Sequence, residues 1–259
     1  MRQIPPPGLR PNCLLTRYPI CFVHGLKNIF CANNYWHGIP EYLRDHGYEV
    51  HEFFGPWRGP HQKRLDFFST EIQKVLKGSE KVHVISHSLG TIDMVELLMW
   101  PQLANKFSSV TFVSPPFGGT PFAEIGLIFG EKLFASTNFT LTSKYVTPII
   151  KKYKKPKDVF VGSIISRPRK YPLSLQVRIQ HKLLTRYLRR RGLSEENDGL
   201  IPLESQLIAK GLGEILLEFP GDHTQVIGAG PWPDSEKTAH SVFLEHAIFL
   251  AEYDFETAK

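Results

Sequence analysis

The chain is poor in cysteine: 259 residues carry three, Cys13, Cys21 and Cys31. An odd set, with Cys21 inside a strand-like run and no zinc-ligand spacing, excludes a disulfide framework and a cysteine metal site. Long apolar runs are also missing. No stretch approaches the ~20 apolar residues of a membrane span, and Met1-Arg2-Gln3-Ile4-Pro5-Pro6-Pro7 has no apolar run behind its basic residue, so no secretory signal is read. The expectation is a cytoplasmic or membrane-peripheral protein, or one whose leader has been removed. Repeats and low-complexity tracts are absent too.

What is present fits one large globular domain: 42% of the residues are apolar, 22% are charged, and the net charge is +6. The positive charge is clustered, at Lys151, Lys152, Lys154, Lys155 and Lys157 and again at Arg186, Arg189, Arg190 and Arg191. Neither run has interleaved aromatics in a recognisable module, so no nucleic-acid partner is expected. Solvated faces are the plain reading of such runs; an anionic membrane or lipid interface is the functional one.

Residues 1–17 are proline-rich and aperiodic and read as an irregular arm. Strand and helix then alternate. Tyr18 to Val23 is a strand running into His24-Gly25-Leu26; Pro40 opens a helix that Gly47 closes; Tyr48 to Phe54 is a second strand. Leu65, Phe68, Ile72 and Val75 mark an amphipathic helix over 62–77. Further strands are expected over 81–86, 108–113, 158–165 and 214–219, and further helices over 91–100, 173–191 and 236–253. Such alternation predicts a mostly parallel sheet with helices on both faces and active-site loops at the carboxyl ends of the strands. It breaks after Pro121, where Phe122, Ile125, Ile128, Phe129 and Phe134 crowd an apolar, helical stretch. The region 121–156 is read as an inserted cap, with Phe117, Phe122, Ile125, Ile128 and Phe129 as pocket or lid residues.

The stretch Val82 to Ile92 contains Ser86-His87-Ser88-Leu89-Gly90, an apolar strand that stops at a serine among small residues where a helix begins. This is the wording of a nucleophile elbow, G-x-S-x-G, with Ser86 in place of the first glycine. A serine hydroxyl needs a histidine base and an orienting carboxylate, in hydrolases of this design in the chain order serine, acid, histidine. Asp198, in the turn Glu196-Asn197-Asp198-Gly199, and His223, in a loop straight after the strand 214–219, supply them in that order. The oxyanion donors are then the backbone N–H of Leu89, next after the nucleophile, and that of Leu26 in the His-Gly-Leu segment. His24 reads as a brace for that loop. His87, His83, His240 and His246 are set aside, His87 because a residue adjacent to the nucleophile points elsewhere.

Tyr18-Pro19-Ile20-Cys21-Phe22-Val23-His24-Gly25-Leu26, Trp36-His37-Gly38-Ile39-Pro40, the elbow, Val113-Ser114-Pro115-Pro116-Phe117-Gly118-Gly119-Thr120-Pro121, Glu196 to Pro202 and Gly221 to Gly228 together resemble bacterial triacylglycerol lipases of the α/β-hydrolase superfamily. The resemblance implies one α/β-hydrolase domain over 18–259 and a helical lid after Pro121. It also implies Ser88 as nucleophile, Asp198 as acid, His223 as base, and Leu26 and Leu89 as oxyanion donors. The implied activity is hydrolysis of acyl esters, lipids included, through an acyl-enzyme. Where those lipases place a calcium-ligating aspartate after the catalytic histidine this chain has Thr224-Gln225, so no metal or other cofactor is expected. The same motifs are similar to palmitoyl-protein thioesterases, and thioester hydrolysis, acyl transfer and an idle binding module stay open as alternatives.

Overall fold

A computed structural model describes residues 14–26, 34–56, 59–128, 139–169, 173, 175–230 and 233–257; the side chains of 125–128, 175, 176, 233 and 235 are outside that description. Cys13, Cys31, Phe129 and Phe134 therefore lie outside the described residues, as do the side chains of Ile125 and Ile128.

Six strands, β1 (Ile20–Val23), β2 (Val50–Phe53), β3 (Val82–His87), β4 (Phe107–Val113), β5 (Phe160–Ser166) and β6 (Glu214–Phe219), form one sheet in the order β2-β1-β3-β4-β5-β6. Every pairing is parallel, so each connection must cross the sheet. The alternation of side chains along the strands splits the interior into two cores. Cys21, Val23, Val82, Val84, Val110, Phe112 and Val161 face one side and meet α2 (His61–Val75) and α3 (Leu89–Leu98). Ile20, Phe22, Ile85, Val113 and Ile164 face the other and meet α1 (Ile39–Asp45) and the last helix, α8 (Pro233–Thr257), through Ile39, Leu43, Phe243 and Ala247. Central strands covered on both faces have no polar side to show, which is why β1, β3, β4 and β5 are buried at every position.

Between β4 and β5 lie α4 (Pro121–Ile128) and α5 (Ser143–Lys152), and between β5 and β6 lie α6 (Leu175–Arg190) and the short α7 (Leu203–Leu207). The helix α6, expected as a helix over 173–191, packs beside α4. Phe117, expected in the pocket or lid, is buried in the first core with its ring edge-on to Phe112 at 5.1 Å. Among the described residues no helix is long and apolar enough to cross a membrane. Cys21 is fully buried, and burial pushes its thiol well above the usual range, so it stays protonated packing material.

Candidate active site

Ser88 stands between the end of β3 and the start of α3, with φ 54° and ψ −123°. A left-handed φ on a side-chain-bearing residue is costly, and it persists where the surroundings over-determine it. Two glycines show what does so here. A Cβ on Gly90 would sit 2.8 Å from the carbonyl oxygens of Val23 and His24, and one on Gly25 would sit 2.8 Å from Ser88 Cβ. The loop after β1, the elbow and the first turn of α3 are thus pressed together at backbone contact. Ser86 is tolerated at the first small position because its hydroxyl turns to the neighbouring strand and donates to the carbonyl of Thr111 at 3.2 Å.

His223 Nε2 lies 3.0 Å from Ser88 Oγ, and its Nδ1 lies 2.8 Å from Asp198 Oδ2. With Nδ1–H donated to the carboxylate, Nε2 is left as the acceptor for the serine proton. Ser88, His223 and Asp198, from an elbow, the loop after β6 and the loop after α6, are far apart in sequence and buried together. The two loops are tied directly, His223 N–H donating to the carbonyl of Asp198 at 2.9 Å. Asp198 is held on both oxygens: Oδ1 accepts from the N–H groups of Leu200 and Ile201 at 3.0 and 2.7 Å, and Oδ2 accepts from Gln206 Nε2 at 3.1 Å. The alternatives for the acid are otherwise engaged. Asp222 Oδ1 caps its own loop through the N–H groups of Thr224 and Gln225, and Glu196 pairs with Arg167 at the surface.

His87, set aside in the sequence, is part of this assembly. Its ring lies 4.6 Å from that of His223. Nε2–H donates to the His223 carbonyl at 3.1 Å, which leaves Nδ1 to accept from the Tyr35 hydroxyl at 2.6 Å. Burial first, and the neighbouring His223 second, hold His87 well below the usual histidine range. It is therefore neutral, as it must be if an imidazolium is to form on His223 beside it. Adjacency in sequence said only that His87 does not share the direction of Ser88; that its ring would reach the main chain of His223 is a tertiary fact. Gln206, on an unforeseen short helix, and Arg64 carry no local signal either. Arg64 pairs with the buried Asp93 at 3.0 and 2.7 Å and donates to the carbonyl of His24 at 2.8 Å, which anchors the loop bearing Leu26. The ring nitrogens of His24 lie 2.6 Å from the Gly25 carbonyl and 3.2 Å from that of Gly55, the loop-bracing place expected of it.

A pocket of about 290 Å³ opens at Ser88. Its walls are mostly apolar: Leu26, Phe122, Ala123, Leu141, Val177 and Ile227. Leu26 packs with Leu89, Ala123 and Leu141, so the loop after β1, the elbow and the cap meet at one small cluster. The acid loop joins in, since a Cβ on Gly199, whose φ is 100°, would collide with Val177 of α6. Leu89 is the first residue of α3, where a helix leaves N–H groups without an intrahelical acceptor. Among the described residues no group of His, Cys, Asp and Glu side chains has metal-site geometry.

No family model matches this chain, and no curated protein matches it by sequence. Solved structures do. The mature lipase BlEst2 of Bacillus licheniformis aligns over 93% of this chain and 96% of its own, with 16% identity and a TM-score of 0.70. Lipase 1 of Pelosinus fermentans aligns over 92% and 99%, with 16% identity and a TM-score of 0.69. A metagenomic carboxyl esterase aligns over 92% and 75%, with 18% identity and a TM-score of 0.67. At these identities the likeness is one of fold, and the fold is that of the α/β-hydrolases, as the motifs imply.

Proposed function

We propose that this α/β-hydrolase-fold chain is a serine hydrolase of carboxylic esters. The observation that carries the reading is the relay from Ser88 Oγ to His223 Nε2 at 3.0 Å and on to Asp198 at 2.8 Å, set on a positive-φ elbow at the mouth of an apolar pocket. Ser88 Oγ attacks the acyl carbonyl as its proton passes to His223 Nε2, and Asp198 stabilises the imidazolium. The oxyanion is taken by the N–H groups of Leu26 and Leu89. His223 returns the proton to the departing alkoxide, leaving an acyl-Ser88; water, deprotonated by the same histidine, then releases the acid.

The pocket, about 290 Å³, is at the small end for a site that takes a whole drug-sized ligand, so it suits a single acyl chain of short to medium length, the alcohol lying outside. The neighbours titled lipases and carboxyl esterases support the ester class. No metal takes part in this scheme, so a chelator is expected to leave the rate unchanged.

Two measurements test the reading. A fluorophosphonate probe is expected to label Ser88 in the folded protein; folded protein that takes no label would make the chain an idle hydrolase fold. A panel of nitrophenyl esters of rising chain length, run beside acyl-CoA and an emulsified triglyceride, is expected to peak at short or medium acyl esters. A tenfold preference for acyl-CoA in kcat/KM, or ~1.4 kcal/mol in the transition state, would reassign the enzyme as a thioesterase.

A further inference from the structure

The helix α6 has an outer face unlike that of an ordinary surface helix. Its inner positions Val177, Leu184 and Leu188 are buried, as amphipathic spacing requires. On the opposite side Ile179 and Leu183, one turn apart, are 64% and 53% exposed. Around them on the same arc stand Arg178, Lys182, Arg186, Arg189 and Arg190, all exposed, and no residue of α6 is acidic. Glu195 engages Arg189 at 2.7 Å, and Arg178 reaches the carbonyl of Leu173 at 3.4 Å. A solvated helix gains nothing by standing two large aliphatic side chains in water, and one that needed only charge would have alternated its signs.

We propose that this face of α6 docks on an anionic lipid surface, with Ile179 and Leu183 entering the acyl boundary and the surrounding cations meeting the headgroups. The pattern is that of an interfacial helix, with large apolar residues within a basic face and no acidic residue on the helix itself. A nucleic acid would match the cations but has no use for the aliphatic pair. The placement adds a reason. Val177 and Gln180 of the same helix line the pocket at Ser88, so a membrane that takes up α6 lies at the pocket's rim. Only this last point rests on the ester-hydrolase reading; the docking itself does not.

The test is co-sedimentation of the whole chain with vesicles of phosphatidylcholine alone or doped with phosphatidylglycerol, at low and at high salt. Binding to the anionic vesicles is expected, with little to the neutral ones, and salt should weaken it. Lys182→Glu with Arg186→Glu should lower the partition coefficient more than tenfold, as should Ile179→Ser with Leu183→Ser. Both pairs are expected to keep their unfolding midpoint and their rate on a dissolved nitrophenyl ester, because none of the four residues lines the pocket. Equal binding to neutral vesicles, or variants that bind like the parent, would overturn the proposal. So would self-association in sedimentation velocity that the Ile179→Ser, Leu183→Ser pair abolishes, which would make the face a contact between copies. If no ester is cleaved and Ser88 takes no label while anionic vesicles are still bound through α6, the hydrolase reading fails and the docking surface stands.

Discussion

Two groups of serine, histidine and aspartate sit in this molecule with nearly the same distances. In one, Ser88, His223 and Asp198 are linked at 3.0 and 2.8 Å. In the other, His83 Nδ1 lies 2.8 Å from Ser109 Oγ and its Nε2 lies 2.9 Å from Asp254, which also accepts from Ser108 Oγ and from the N–H of Arg17. Ser109 and His83 face each other across the register of β3 and β4, and both are fully buried. The second group lacks the setting on which the proposed reactive site rests. Ser109 is a fully buried residue in the middle of β4. Ser88 is lifted off the sheet by a left-handed turn, opens on a pocket and is followed at once by the first N–H of α3. Three matched residue types at hydrogen-bond distance therefore do not make a nucleophile. The second group satisfies buried polar groups and ties the C-terminal helix to the sheet.

The sharpest way to break that contrast is to disable each group in turn. Ser88→Ala is expected to lower kcat by up to ~10⁶-fold with the melting temperature unchanged, and His223→Ala to match it. Asp198→Asn should cost less, about 10⁴-fold, because the acid orients the ring without exchanging the proton. Steady-state rates on a nitrophenyl ester read all three. Should Ser88→Ala keep a tenth of the parent rate, the nucleophile lies elsewhere. Asp254→Ala should show the reverse signature. It strands His83 without its carboxylate, a loss of roughly 3–5 kcal/mol that lowers the melting temperature by about 10 °C while the rate per folded molecule holds. A large loss of rate there, with the fold intact, would mean that the buried group belongs to the chemistry after all.

A smaller effect is expected at His87. Replacement by Phe keeps the volume but takes away the donor to the His223 carbonyl, a cost of roughly 1–3 kcal/mol that should appear as a tenfold to hundredfold fall in kcat with KM little changed. A role in packing alone would leave kcat untouched. A graded effect concerns acid. Burial holds His246 down at about 3 and His87 well below the usual range, while the unfolded chain takes up protons near pH 6.5. The unfolded state then binds more protons than the native one, so this stability is fully present above pH 6.5 and declines below it, by ~1.4 kcal/mol per pH unit for each of the two. Urea melts at pH 7, 6 and 5 measure the slope, and His246→Gln is expected to remove about half of it.

Most of the sheet was legible because its signals are local. The apolar run of β3, the turn at Ser88 and the helical spacing of Ile92, Val95 and Leu98 lie within one short window, and the edges of β6 were legible to the residue. The helix α6 was recognised as a helix but not placed, because periodicity marks which face is buried and not what it is buried against. Phe117 was assigned to the pocket or lid, whereas it packs in the first core against Phe112. His87 was dismissed from its position in the chain, and Gln206 and Arg64 had no pattern to betray them.

Order along the chain determined the strand–helix alternation, the elbow and the sequence of serine, acid and base, because each depends on neighbours a few residues apart. Contacts between distant segments decided the rest. Whether a serine beside a histidine and an aspartate opens on a pocket or serves as a buried strut depends on how strand ends and loops from distant parts of the chain converge. That convergence is set by packing two cores against the faces of one sheet, a property that no short window of sequence contains.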